Sequence, residues 1–162
     1  MDEELRKNTM LAGILVLGLS LGLMLHSSTD DIPPGGSVDS SDWKEISLED
    51  VSTGEEFTIS ELEKPVLVET FAVWCPTCTR QQTEIQKLHE NSNVTSVSLD
   101  VDPNENAEKV RNHIETNGFN WRYSISPIEL TNKLRNKFGN SIANPPTAPA
   151  IIVCEDGSRR LP

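Results

Sequence analysis

TFAVWCPTCTRQQTEIQKL, Thr70 to Leu88, holds two of the chain's three cysteines, Cys75 and Cys78, with Trp74 just ahead of them. A pair at this spacing can be a metal clip, a structural staple or a working redox couple. The residues on either side narrow the choice. PVLVETFAV, Pro65–Val73, is a near-continuous apolar run rich in β-branched residues. It suits a strand buried on both faces. Pro76 directly follows Cys75, and the first turn of a helix tolerates proline. The helix is expected to run to about His89, with Ile85 and Leu88 on its inner face.

A strand that ends in Cys-x-x-Cys at a helix N-terminus has a definite chemistry. The helix dipole and its free N–H groups stabilise an anion at Cys75. The thiolate is the attacking species in disulfide exchange. Cys78 lies almost one helical turn on, so its sulfur can reach that of Cys75 and resolve a mixed disulfide. A permanent staple here would close a tiny loop and constrain the unfolded chain little.

The rest of the domain alternates in the same way. VTSVSLDVD, Val94–Asp102, reads as a second strand. NENAEKVRNHIETNG then places Ala107, Val110 and Ile114 at helical spacing, with Gly118 as a stop signal. Trp121 and Tyr123 alternate like packed strand residues. SPIELTNKLRNKFG, Ser126–Gly139, reads as a helix with Ser126 and Glu129 as a capping box, Pro127 in the first position, and Leu130, Leu134 and Phe138 as its apolar stripe. NPPTAPAIIVC brings a proline-rich loop into a strand, Ala150–Cys154. Ahead of all this, TGEE is a turn signal and FTI, Phe57–Ile59, a short strand or hairpin arm. Strands alternating with helices imply an α/β layer structure with a largely parallel core.

The remaining chain bears on location and partners. Lys and Arg number 14 against 25 Asp and Glu, a formal net charge of −11. Such a chain lacks the basic footprint of nucleic-acid binding. MLAGILVLGLSLGLML, Met10–Leu25, is uncharged and follows Arg6 and Lys7. As a helix it rises roughly 24 Å, against a hydrocarbon core of about 30 Å. Residues 10–26 are read as a transmembrane signal anchor behind a short cytoplasmic segment, residues 1–9. The basic residues precede the span, so the positive-inside tendency places the rest outside the cytoplasm. A cleaved signal peptide is the alternative, and both readings export the domain. Residues 27–42, rich in Ser, Asp, Pro and Gly, read as a flexible linker.

From Trp43 to about Gly157 the chain resembles the thioredoxin superfamily. Three features carry the likeness: Trp-Cys-x-x-Cys after a buried strand, the βαβ order, and a later proline before a strand. TGEEFTISELEKPVLVETF ahead of the motif is similar to the membrane-anchored, TlpA- and ResA-like branch. The resemblance implies a thioredoxin-like fold for residues 43–162, a central mixed sheet flanked by helices. It also implies a thiol–disulfide oxidoreductase working through Cys75 and Cys78 as a redox-active disulfide, with Trp74 and Pro76 shaping the site. The family has a cis-proline facing the cysteines, and Pro149 fits that place better than Pro146. Pro145 and Pro146 read as loop stiffeners. The family's buried acid corresponds to Glu69, which would move the proton of Cys78. The other reading puts Glu69 at the sheet's margin, solvated.

The expected partners are proteins with thiols or disulfides, an electron donor or acceptor, and the membrane through residues 10–26. No cofactor and no metal are expected. A structural zinc site wants four ligands, and the chain offers one close cysteine pair. The rival reading is a copper-binding metallochaperone of the same fold, with His113 joining the pair; on a helix, His113 is otherwise expected to be solvated. Cys154 ends an apolar strand and reads as a buried, inert thiol. After it come only EDGS and RRLP, so the C-terminal strand and helix of the fold look missing and the domain truncated.

Overall fold

A computed structural model describes residues 42–162. The anchor at 10–26 and the linker as far as residue 41 lie outside the described residues. Among the described residues no helix is long and apolar enough to cross a membrane.

Two short strands, β1 (Leu48–Glu49) and β2 (Glu56–Phe57), pair antiparallel as a small hairpin. The main chain order is then β3 (Val66–Phe71), α1 (Pro76–Asn91), β4 (Thr95–Asp100), α2 (Ala107–Asn117), β5 (Arg122–Ile125), α3 (Ile128–Phe138), β6 (Ala150–Cys154) and β7 (Gly157–Arg160). The five long strands form one sheet in the order β5-β4-β3-β6-β7. β3, β4 and β5 are parallel. β6 runs antiparallel to β3, and β7 antiparallel to β6. The sheet is mixed, as the resemblance implies.

β3 is the middle strand, and every one of its residues is buried. Its side chains alternate between two packed layers. Val66 and Val68 pack with Trp43, Ile142 and the α3 residues Leu130 and Leu134. Thr70 shares that side, its hydroxyl donating to the Ile142 carbonyl. On the other side Leu67 meets Ile85 of α1, and Phe71 meets both cysteines and Val110 and Ile114 of α2. Glu69 lies between Leu67 and Phe71 on this second side.

Several elements differ from their sequence reading. Leu88 is 41 % exposed instead of facing inward. α3 begins at Ile128, with Pro127 as its N-cap and no side-chain cap. The expected capping box fails because the Ser126 backbone is tied to the end of β4: its N–H donates to the Asp100 carbonyl at 2.8 Å. Its hydroxyl pairs with that of Thr131 at 2.8 Å instead. Gly118 does stop α2, at φ 69°, where its N–H reaches the Ile114 carbonyl.

The strand counted as missing is present. Gly157, at φ 141°, turns the chain so that Ser158, Arg159 and Arg160 pair with Val153, Ile152 and Ile151. This four-residue strand has no apolar alternation because it is a sheet edge, and its two arginines discourage a further strand from adding.

Candidate active site

Cys75 ends the loop after β3 and caps α1. Its backbone is extended, φ −90° and ψ 104°, and its Sγ accepts the Cys78 N–H at 3.1 Å. Pro76 takes the first helical position, where its missing N–H leaves no bond unmade. Cys75 and Cys78 are joined by a disulfide, with Cα atoms 5.3 Å apart. The helix N-terminus and this N–H both favour negative charge on Cys75 once the bond is reduced.

Both cysteines are only 1 % exposed. One wall over them is the turn Pro145–Thr147. The Pro145 carbonyl lies 3.1 Å from Cys78 Sγ. In the disulfide this is a contact, since that sulfur carries no proton; in the dithiol the Cys78 thiol can donate to it. The turn is tied to α1 by Gln81, whose Nε2 donates to the Ala148 carbonyl at 3.0 Å. Replacing Gln81 with alanine removes one neutral hydrogen bond, worth about 1 kcal/mol, or about fivefold in the open population. Reduction of the disulfide by dithiothreitol, followed by stopped flow, should accelerate by about that factor. An unchanged rate would show that the turn does not gate the sulfurs.

Pro149 does not take the expected form. Among the described residues the cis peptide bond is Lys64–Pro65, and Ala148–Pro149 is trans. The chain enters β6 through Ala148 instead, held at φ 46° and ψ 56° with its N–H on the Pro145 carbonyl. That left-handed conformation is unusual for a residue with a Cβ. The Pro149 carbonyl accepts the Thr70 N–H at 3.2 Å and so begins the strand. The proline that reaches a cysteine is Pro145.

Trp74 is 56 % exposed beside the pair. Its indole N–H donates to Asp102 Oδ2 at 2.6 Å. Next to it the Val73 N–H donates to Glu105 Oε2 at 2.8 Å. The Asn104 N–H and then the Trp74 indole hold the Asp102 carboxyl below its usual range. Asp100 is buried, and burial together with the Glu105 and Asp102 carboxylates raises its pKa, although the Asp102 N–H opposes this. Asp102 and Glu105 position the Val73–Trp74 segment, and the sequence reading missed them. Their signal was place: VDPNEN follows β4, the neighbour of the strand that leads into the cysteines.

Glu69 sits in the central strand, 1 % exposed, and not at the sheet's margin. Its Oε1 accepts the Ser98 hydroxyl at 2.5 Å. Burial raises its pKa from 4.5 to about 7, with Ser98 and Gln82 pulling the other way. Tyr123 is also shifted upward, by burial and then by the Glu69 charge.

His113, expected to be solvated, is buried. Its Nε2 lies 2.7 Å from Gln82 Oε1 and its Nδ1 3.4 Å from Asn117 Nδ2. Both ring nitrogens therefore face amides. Among the described residues no group of three or more His, Cys, Asp or Glu is placed to hold a metal ion. Cys154 is a free, half-buried thiol at the end of β6.

A model of the Redoxin family matches residues 37–158. Among curated proteins none matches the chain significantly. Several solved structures share its fold. A secreted disulfide oxidoreductase of Mycobacterium tuberculosis, homologous to E. coli DsbE, is 15 % identical with a TM-score of 0.58, over 74 % of this chain and 84 % of that one. A thiol:disulfide interchange protein of the thioredoxin family from Chlorobium tepidum is 24 % identical with a TM-score of 0.53, over 69 % and 77 %. BsSco, of the Sco family of cytochrome c oxidase assembly proteins, is 17 % identical with a TM-score of 0.55, over 72 % and 78 %. At these identities the likeness is one of fold, and that fold is thioredoxin-like α/β.

Proposed function

Because the chain belongs to the Redoxin family, we propose that it is a thiol–disulfide oxidoreductase, tethered to a membrane by residues 10–26 and working outside the cytoplasm on protein thiols and disulfides. The observation that carries this reading is the Cys75–Cys78 disulfide capping α1 at the end of the central strand. The tether rests on the sequence of residues 1–42.

As a reductant the dithiol works in two steps. The Cys75 thiolate attacks a substrate disulfide, forms a mixed disulfide and releases one substrate thiolate. Cys78 gives its proton to Glu69, and its thiolate attacks Cys75 Sγ. The mixed disulfide breaks, the second substrate sulfur leaves, and the Cys75–Cys78 bond forms. Two electrons pass to the substrate. As an oxidant the pair runs the same steps backward. The reduction potential decides the direction.

Cys78→Ser keeps the attacking thiol and removes the resolving one. It should accumulate mixed disulfides with partner proteins, seen as reductant-sensitive adducts on non-reducing gels. Their absence, with Cys75 shown to be reactive, would sink the resolving role. The potential of the native pair in glutathione or dithiothreitol buffers separates a reductase from a disulfide donor.

The alternative reading is a copper-binding metallochaperone of the same fold. Against it, His113 turns its nitrogens to Gln82 and Asn117. A Cu(I) titration of the reduced chain that depends on His113 would favour it over exchange.

A further inference from the structure

Beneath α1 a row of buried polar side chains crosses an otherwise apolar layer. Glu69 comes from β3, Gln82 from α1 and His113 from α2, and all three are buried. Gln82 lies one helical turn beyond Cys78. Burying a primary amide is unfavourable unless its hydrogen bonds are made, so its partners carry information.

Gln82 Oε1 has lone pairs and no proton. At 2.7 Å from His113 Nε2 it must accept the ring N–H. His113 is thereby held with its proton on Nε2, and Nδ1 is left facing the Asn117 amide. Burial lowers the His113 pKa, against the opposing charge of Glu105, which agrees with a neutral ring. The ring stacks on Phe71 at 5.7 Å and packs at a tilt against Phe119 at 5.7 Å.

Asn117 gives this direction independently: its NH2 donates to the His113 carbonyl at 2.8 Å and faces Nδ1 at 3.4 Å, which leaves Nε2 to carry the ring proton and the Gln82 oxygen to accept it. With its oxygen toward His113, Gln82 turns its NH2 toward Glu69. Within this row two buried atoms lack hydrogen-bond partners among the described residues and are complementary: Gln82 Nε2 is a donor and Glu69 Oε2 an acceptor, with the Tyr123 hydroxyl the other unpartnered group facing the carboxyl. The amide is near enough to favour the carboxylate form of Glu69. Flipped, Gln82 would aim its oxygen at the carboxylate, placing two acceptors together in a buried site. The groups that face Glu69 are Ser98 from β4, Tyr123 from β5 and Gln82 from α1. None is a permanent charge, so the amide's orientation has little to compete with.

We propose that His113 is a positioning residue for disulfide exchange: through its bond to Gln82 it holds the amide NH2 toward Glu69 and so sets how readily Glu69 takes the proton of Cys78. The inference rests on the proposed function for its chemistry, because the proton moves only when Cys78 resolves a mixed disulfide. Glu69 accepts that proton as a carboxylate, becomes a carboxylic acid, and returns the proton to solvent after the substrate sulfur has left.

The test is the titration of Glu69 in the full chain with the disulfide intact, read from its carboxyl carbon by NMR. His113→Phe keeps a ring against Phe71 and removes the donor; the amide is then free to flip. The Glu69 midpoint should rise by roughly a pH unit, and the pH profile of the resolving step should move with it. His113→Gln, which restores an N–H donor, should bring both back. A folded His113→Phe chain with an unmoved Glu69 midpoint overturns the inference. If that variant does not fold, Gln82→Met removes the amide directly, and an unmoved midpoint there is equally fatal. If the midpoint moves while the resolving step keeps its profile, His113 does position Gln82, and the failure belongs to Glu69 as the proton acceptor.

Discussion

Cys75→Ser reduces disulfide exchange to the uncatalysed background. A serine hydroxyl at the start of α1 would keep the cap on the Cys78 N–H, so the helix persists. It would not ionise near neutral pH, and the thiolate is the attacking species. Loss of a covalent nucleophile costs on the order of a thousandfold or more. The measurement is reduction of a model protein disulfide by the pre-reduced chain, with circular dichroism to show that the variant folds. Exchange within tenfold of the native rate would show that Cys75 is not the attacking thiol and would end this reading.

Glu69→Gln makes the chain more stable at pH 8 and less able to turn over. The folded-state pKa of Glu69, about 7, lies above its ordinary 4.5. The stability that the protonated acid contributes is fully present below about pH 4.5 and is lost as pH rises through about 7. Above that, a charged carboxylate in a fully buried site is unfavourable by about 3 kcal/mol. Glutamine keeps the shape and never ionises. Denaturant midpoints of the oxidised chain should therefore favour the variant by up to that amount at pH 8, with the advantage shrinking toward pH 4. A difference independent of pH would show that the fold leaves the Glu69 pKa at its ordinary value. The same substitution removes the proton acceptor for Cys78, so the resolving step should slow while the first attack does not. A functional site often holds stability in reserve in this way.

Much of this architecture was legible because it is written locally. A continuous apolar run marks β3, and cysteine with proline marks the start of α1 within a few residues. α2 was readable from Val110, Ile114 and the Gly118 stop. What was not legible depends on partners far along the chain. β7 has no apolar pattern, since GSRR forms a strand only because β6 offers it an edge. Ser126 has the sequence of a cap, and the carbonyl of Asp100 claims its N–H. Pro149 precedes its strand as the resemblance implies, but the reversal is made at Ala148, and Pro145 meets the cysteine. Glu69 could be suspected as a charge inside an apolar run. Gln82 beside it, and His113 beyond Gln82, sit on two separate helices, and no spacing along the sequence joins them.

The place of β6 has a consequence for synthesis. β3 is flanked on one side by β4, which follows it after a single helix, and on the other by β6, whose Val153 pairs with Val66. A chain emerging N-terminus first can build β3, α1 and β4 early. The second edge of β3, apolar and unpaired, must then wait until nearly all the domain has appeared. Pairings this distant in sequence form slowly, and an open edge rich in valine and leucine is a template for association in the meantime. The strand that gives the finished domain its centre is, until β6 arrives, its most exposed liability, and chaperone contact during synthesis would be expected to concentrate on VLVETF.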